Sequence, residues 1–109
     1  MNEYLHIPFK IPPNVDETLT CWDNDEVGQA QFNSILDDVG SKYDDETNEL
    51  RKLMFFKIFD LSSSHDLSAY ICEDIGLIYY CEKINYINAW LQERREIYLK
   101  GNIPFNKQE

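Results

Sequence analysis

The sequence predicts a mainly α-helical protein, a compact bundle of about four helices preceded by an extended N-terminal arm. Three observations carry that prediction. Apolar residues recur at helical spacing in separate stretches after residue 23, polar capping residues stand between those stretches, and three of the four prolines fall within the first thirteen residues. With 109 residues, 43% of them hydrophobic, the chain has enough apolar material for one core. It reads as a single domain over 1–109, with an arm (1–22), a helical core (23–101) and a tail (102–109). An aromatic content of 14% excludes a disordered acidic tail, because those side chains gain most by leaving water.

In the arm, Ile7, Phe9 and Ile11 alternate at period two, but Pro8, Pro12 and Pro13 remove backbone donors. This predicts an edge segment lying across the domain and not a central strand. Thr18 to Trp22 is β-branched and aromatic enough for one short strand, with direct continuation into the first helix as the alternative. That helix is predicted from about Asn24 to Val39. Asp23, Asn24 and Asp25 offer caps, Phe32, Ile35, Leu36 and Val39 repeat at i, i+3, i+4, i+7, and Gly40 is a stop. Asp37 and Asp38 leave the apolar stripe at the helix end, where the macrodipole disfavours acids by about a few tenths of a kcal/mol. Residues that break a local rule are more often functional.

The second helix is predicted from Asp44 or Asp45 to about Leu61. Its body, Leu50, Leu53, Met54, Phe55, Phe56, Ile58 and Phe59, is apolar on nearly every side, which predicts a place at the centre of the core. Ser62-Ser63-Ser64-His65-Asp66 is a turn with several N-cap residues. A third helix follows over about Leu67 to Ile84, with a break near Gly76. The last runs from about Asn88 to Lys100 and ends at Gly101, read as a left-handed cap with Ile103 folding back onto the helix.

Twenty Asp and Glu against ten Lys and Arg give a formal net charge of −10 at pH 7. All of it lies between Asp16 and Glu49, where eleven carboxylates meet one base, Lys42; elsewhere nine acids balance nine bases. Nucleic-acid phosphate and anionic membranes repel such a chain, so the expected partner is cationic. Asp23, Asp25, Glu26, Asp37, Asp38, Asp44, Asp45 and Glu46 are the candidate partner-binding acids. The plainer alternative is a solvated face with helix-capping carboxylates.

Catalysis finds little support. The only histidines are His6 and His65, and no H-E-x-x-H, G-x-S-x-G, phosphate-cradling glycine loop or EF-hand pattern is present. Adjacent acids on a helix point apart, so neither a metal nor a cofactor is expected, and the chain reads as a non-enzyme. Cys21, Cys72 and Cys81 are odd in number and form no C-x-x-C pair, which fits reduced, packed thiols. Met1 to Lys10 lacks the pattern of a secretory leader and no window approaches a membrane span, which predicts a cytoplasmic protein.

Recognition is the stronger reading. In Gly76-Leu77-Ile78-Tyr79-Tyr80-Cys81-Glu82, two consecutive tyrosines do not share a helix face, so at least one is expected to be partly exposed beside Glu73, Asp74 and Glu82. Tyr79 and Tyr80 are therefore candidate anchors. In size, acidity, helical character and lack of catalytic residues, the chain resembles bacterial immunity proteins of the contact-dependent inhibition or polymorphic-toxin type. Leu77-Ile78-Tyr79-Tyr80 is also similar to the tyrosine-bearing third helix of colicin DNase immunity proteins, although Cys81 and Glu82 follow here, and the proline and glycine of that family are absent. The resemblance implies an inhibitor that binds a cognate basic, nuclease-like toxin domain through its acidic surface, with Tyr79 and Tyr80 as anchors and no direct nucleic-acid or membrane partner. The alternatives are a nucleic-acid mimic that inhibits a nuclease, and a non-catalytic adaptor subunit exposing apolar surface near Trp90 or Phe105.

Overall fold

A computed structural model describes residues 3–105; the last four residues of the predicted tail lie outside that range. A single 3-10 turn, Glu3–His6, precedes five helices: α1 (Val15–Asp23), α2 (Glu26–Val39), α3 (Lys42–Ser62), α4 (His65–Lys83) and α5 (Ala89–Leu99). No strand occurs among the described residues. The radius of gyration, 13.2 Å, is that of a close-packed domain of this length.

The predicted arm is shorter than 1–22, because α1 occupies its second half. Asn14 caps this helix by accepting from the Glu17 amide at 3.0 Å, and Asp16 and Glu17 place negative charge in its first turn. Val15, Thr18, Leu19 and Trp22 then recur at helical spacing, with Thr18 and Trp22 buried. The strand propensity of Thr18 to Trp22 yields to that cap and that buried stripe. The remaining arm does cross the domain. Phe9 is buried with its ring edge-on to Tyr98, Lys57 Nζ donates to the Leu5 carbonyl at 2.5 Å, and the Lys10 amide donates to the Gly101 carbonyl at 2.8 Å.

Centrality belongs to α4 and not to α3. Buried residues encircle most of α4, among them Leu67, Ile71, Ile75, Leu77, Ile78 and Cys81, and α3 is its principal packing partner. On α3 the buried set is one stripe, Tyr43, Thr47, Leu50, Met54 and Ile58, while Leu53, Phe56 and Phe59 face solvent. Apolar composition all round a helix thus did not imply burial all round.

The predicted break at Gly76 is absent. The helix runs straight through, and the missing side chain serves packing: a Cβ at Gly76 would stand 2.7 Å from Arg51 Cγ and 3.1 Å from the Tyr43 hydroxyl. The end of α5 matches expectation. Gly101 adopts φ 81°, its amide donates to the Tyr98 carbonyl, the Asn102 amide donates to the Ile97 carbonyl, and Ile103 is buried behind them. Ser64 and Asn88 supply the side-chain caps of α4 and α5.

Candidate partner-binding surface

The candidate acids collect at the two ends of α2, a fourteen-residue helix about 20 Å long. At its N-terminus stand Asp23, Asp25 and Glu26. At its C-terminus Asp37 and Asp38 meet Asp44, Asp45 and Glu46 from the first turn of α3. Neighbouring elements tie the two ends down differently.

At the first end, Asp25 caps α2 through the Gly28 amide at 3.1 Å and lies 3.8 Å from Arg94. A Cβ at Gly28 would collide with that carboxylate, so glycine is what the cap geometry requires. Asp23 accepts from the Tyr70 hydroxyl. That hydrogen bond, followed by burial, pushes the Tyr70 phenol up to about 12. Trp22, Phe32, Tyr70 and Trp90 join these acids around a groove of about 470 Å³.

Behind the groove lies a charged network that the sequence alone did not reveal. Arg94 is 6% exposed and donates to Asp74 at 2.8 Å, while the Tyr98 hydroxyl donates to the same carboxylate at 2.6 Å. The guanidinium carbon sits 5.4 Å from the Trp22 ring centre, 4.7 Å from Trp90 and 5.5 Å from Phe105. Burial raises the Asp74 carboxyl against the pull of Arg94 and Tyr98. Burial works against the charge on Arg94 too, yet Asp74, Tyr98 and Asp25 outweigh it and hold the guanidinium above its ordinary value. An acid inside the apolar run Ile71 to Ile78, with Arg94 and Tyr98 at i, i+4, was the available signal.

At the second end the acids are exposed. Asp38 accepts from the Tyr86 hydroxyl at 2.7 Å, raising that phenol, and Asp44 pairs with Arg51 at 3.4 Å. Lys83 pairs with Glu46, and that hydrogen bond holds the Glu46 carboxyl below its usual range. Glu26, Asp37 and Asp45 make no hydrogen bond or ion pair through their carboxylates among the described residues. Of the two tyrosines, Tyr80 is 5% exposed with its ring edge-on to Tyr43 at 6.0 Å. It is a core residue, which corrects its reading as an anchor. Tyr79 is half-buried beside Glu3, Tyr4, Glu82 and Lys83.

Other groups are quiet. Cys72 and Cys81 are buried, and burial raises their thiols to about 12 and about 11, so both are protonated at neutral pH. His65 is exposed at the start of α4 beside Asp66. No group of metal-binding side chains occurs, and no helix is long and apolar enough to cross a membrane, among the described residues.

Fold and surface together define a small all-α protein whose charge is gathered around one helix, with several carboxylates left free of internal partners. The family model for immunity protein PIM1 matches residues 14–105, so the chain belongs to that immunity protein family, whose members neutralise a cognate toxin. No curated protein and no solved structure matches the chain.

Proposed function

We propose that this immunity protein neutralises a basic, nuclease-like toxin domain in the cytoplasm, by docking the acidic surface of α2 and the start of α3 against the toxin's Lys and Arg side chains. The observation that carries this reading is the placement of charge. The whole net charge of −10 comes from Asp16 to Glu49, and most of its carboxylates stand at the ends of α2, where Glu26, Asp37 and Asp45 are exposed and spent on no internal bond among the described residues. Opposite charges across an encounter raise the association rate and set partner choice more than they raise final affinity. Docking covers the toxin's active site or the substrate-binding surface beside it, without chemistry by the immunity protein.

Asp37 and Asp45 are the informative positions, because changing them disturbs no helix cap and no internal ion pair. With Asp37→Lys and Asp45→Lys combined, association with the cognate toxin domain is expected to slow by roughly tenfold at low salt, with protection of toxin-expressing cells reduced. Unchanged association and protection would overturn the acidic docking surface.

A further inference from the structure

We infer that the outer face of α3 is the core of the toxin interface, with Phe56 and Phe59 as its anchors. This inference rests on the toxin-docking reading above and deepens it by replacing the tyrosine pair with a different set of anchors. Tyr80 is buried and Tyr79 only partly exposed, so the pair offers less aromatic surface to a partner than Phe56 and Phe59 do.

At 100° per residue, Asp45, Glu49, Lys52, Phe56 and Phe59 fall on one line along α3, diametrically opposite the buried stripe Tyr43, Thr47, Leu50, Met54 and Ile58. The line is about 21 Å long. Its first half is acidic and continuous with the α2 corner that holds Asp37 and Asp38. Its second half is apolar: Phe56 is 55% exposed and Phe59 41%, with Leu53 exposed alongside. Among the described residues, three of the eight exposed large hydrophobic side chains, Leu53, Phe56 and Phe59, lie on or beside this line, whereas exposed Leu61 falls on the other side of the helix end. Lone exposed apolar residues are ordinary, but a group of this kind rimmed by charge is the surface pattern of a protein interface.

The rings are also held in place. Half-buried Phe55 stacks on Phe59, with centroids 6.2 Å apart and planes 7° from parallel, and meets Phe56 edge-on at 6.1 Å and His65 at 5.2 Å. Ordering cost on binding is therefore small, as suits an anchor. Charge selects the occupant. A second copy of this chain would set −10 against −10, whereas a basic toxin domain meets the acidic half of the line favourably and covers the phenylalanines with an apolar patch flanked by cations.

The test is binding kinetics of the full chain against its cognate toxin domain, with sedimentation of the chain alone. Phe56→Ser and Phe59→Ser remove solvent-facing groups, and circular dichroism should show unchanged helix content. Each is expected to accelerate dissociation by ~10- to 30-fold while leaving the salt dependence of association intact. Dissociation within twofold of the parent chain would overturn the anchors. If in that case Asp37→Lys with Asp45→Lys still slows association, the acidic docking surface stands and only the anchors fall. Faster dissociation in the phenylalanine variants with no effect of the acid reversals would keep the anchors and remove the acidic docking surface. A dimer of the free chain that Phe56→Ser dissolves, with toxin binding unchanged, would assign the face to self-association and also overturn the inference.

Discussion

Asp74 and Asp45 are the same side chain in opposite surroundings. Asp74 lies inside the bundle with Arg94 and Tyr98 on one oxygen and three aromatic rings around its cation. Asp45 stands in the first turn of α3, exposed and unpaired among the described residues. In the interior a charge must be matched, because desolvation of each ion costs several kcal/mol. At the surface water does the matching, and the charge stays available to a partner. One region joins α4 to α5; the other shapes the field that an approaching protein meets.

Breaking the interior pair should have the largest effect. Arg94→Ala strands a buried carboxylate and removes the guanidinium from Trp22, Trp90 and Phe105, so unfolding free energy is expected to drop by about 3–5 kcal/mol in urea titrations. Asp74→Leu combined with Arg94→Met and Tyr98→Phe should recover much of that loss, since both charges and the hydroxyl bonded to them leave together. If Arg94→Ala costs no more than a surface substitution, the network does not hold the helices. By contrast, Asp37→Lys with Asp45→Lys should alter stability by no more than about 0.5 kcal/mol while slowing toxin association.

A smaller effect sharpens the comparison at the rim of the groove. Tyr70 donates to Asp23, and its ionisation is pushed from 10.0 to about 12. A group whose folded pKa is raised contributes stability that is complete below its unfolded value, so this contribution is present up to about pH 10 and disappears as pH climbs through about 12. Asp23→Asn should move the Tyr70 step of an ultraviolet phenolate titration to lower pH, identified by its absence in Tyr70→Phe. A step that stays in place would show that Asp23 does not hold the phenol.

α2, α4 and α5 were legible because apolar stretches of helical length stood between caps at Asp25, Ser64, Asn88 and Gly101, whereas α3, whose Ser41 makes no side-chain cap bond, was legible from its acidic first turn and apolar body. α1 was masked by β-branched and aromatic residues, although Asn14 with Val15, Thr18, Leu19 and Trp22 carries the same two signals. Position within the bundle was less legible. Phe56 and Ile58 look alike in a list of apolar residues, and only packing against α4 decides that one is exposed and the other buried. Tyr79 and Tyr80, neighbours on α4, likewise differ only through packing, one half-buried and the other buried. The acidic segment was legible as composition, but its division between the ends of α2, and the internal partners of Asp25, Asp44 and Glu46, follow from tertiary pairing.

If the free carboxylates around α2 and the start of α3 guide the toxin to its docking surface, the approach of the two proteins must respond to salt. The decisive quantity is the association rate constant with the toxin domain as a function of ionic strength, for the parent chain and for Asp37→Lys with Asp45→Lys. The rate is expected to fall steeply as salt is added, with a dissociation rate that barely changes and a visibly flatter salt dependence in the charge-reversed chain. An association rate indifferent to salt, or the same slope in both chains, would contradict guidance by these carboxylates.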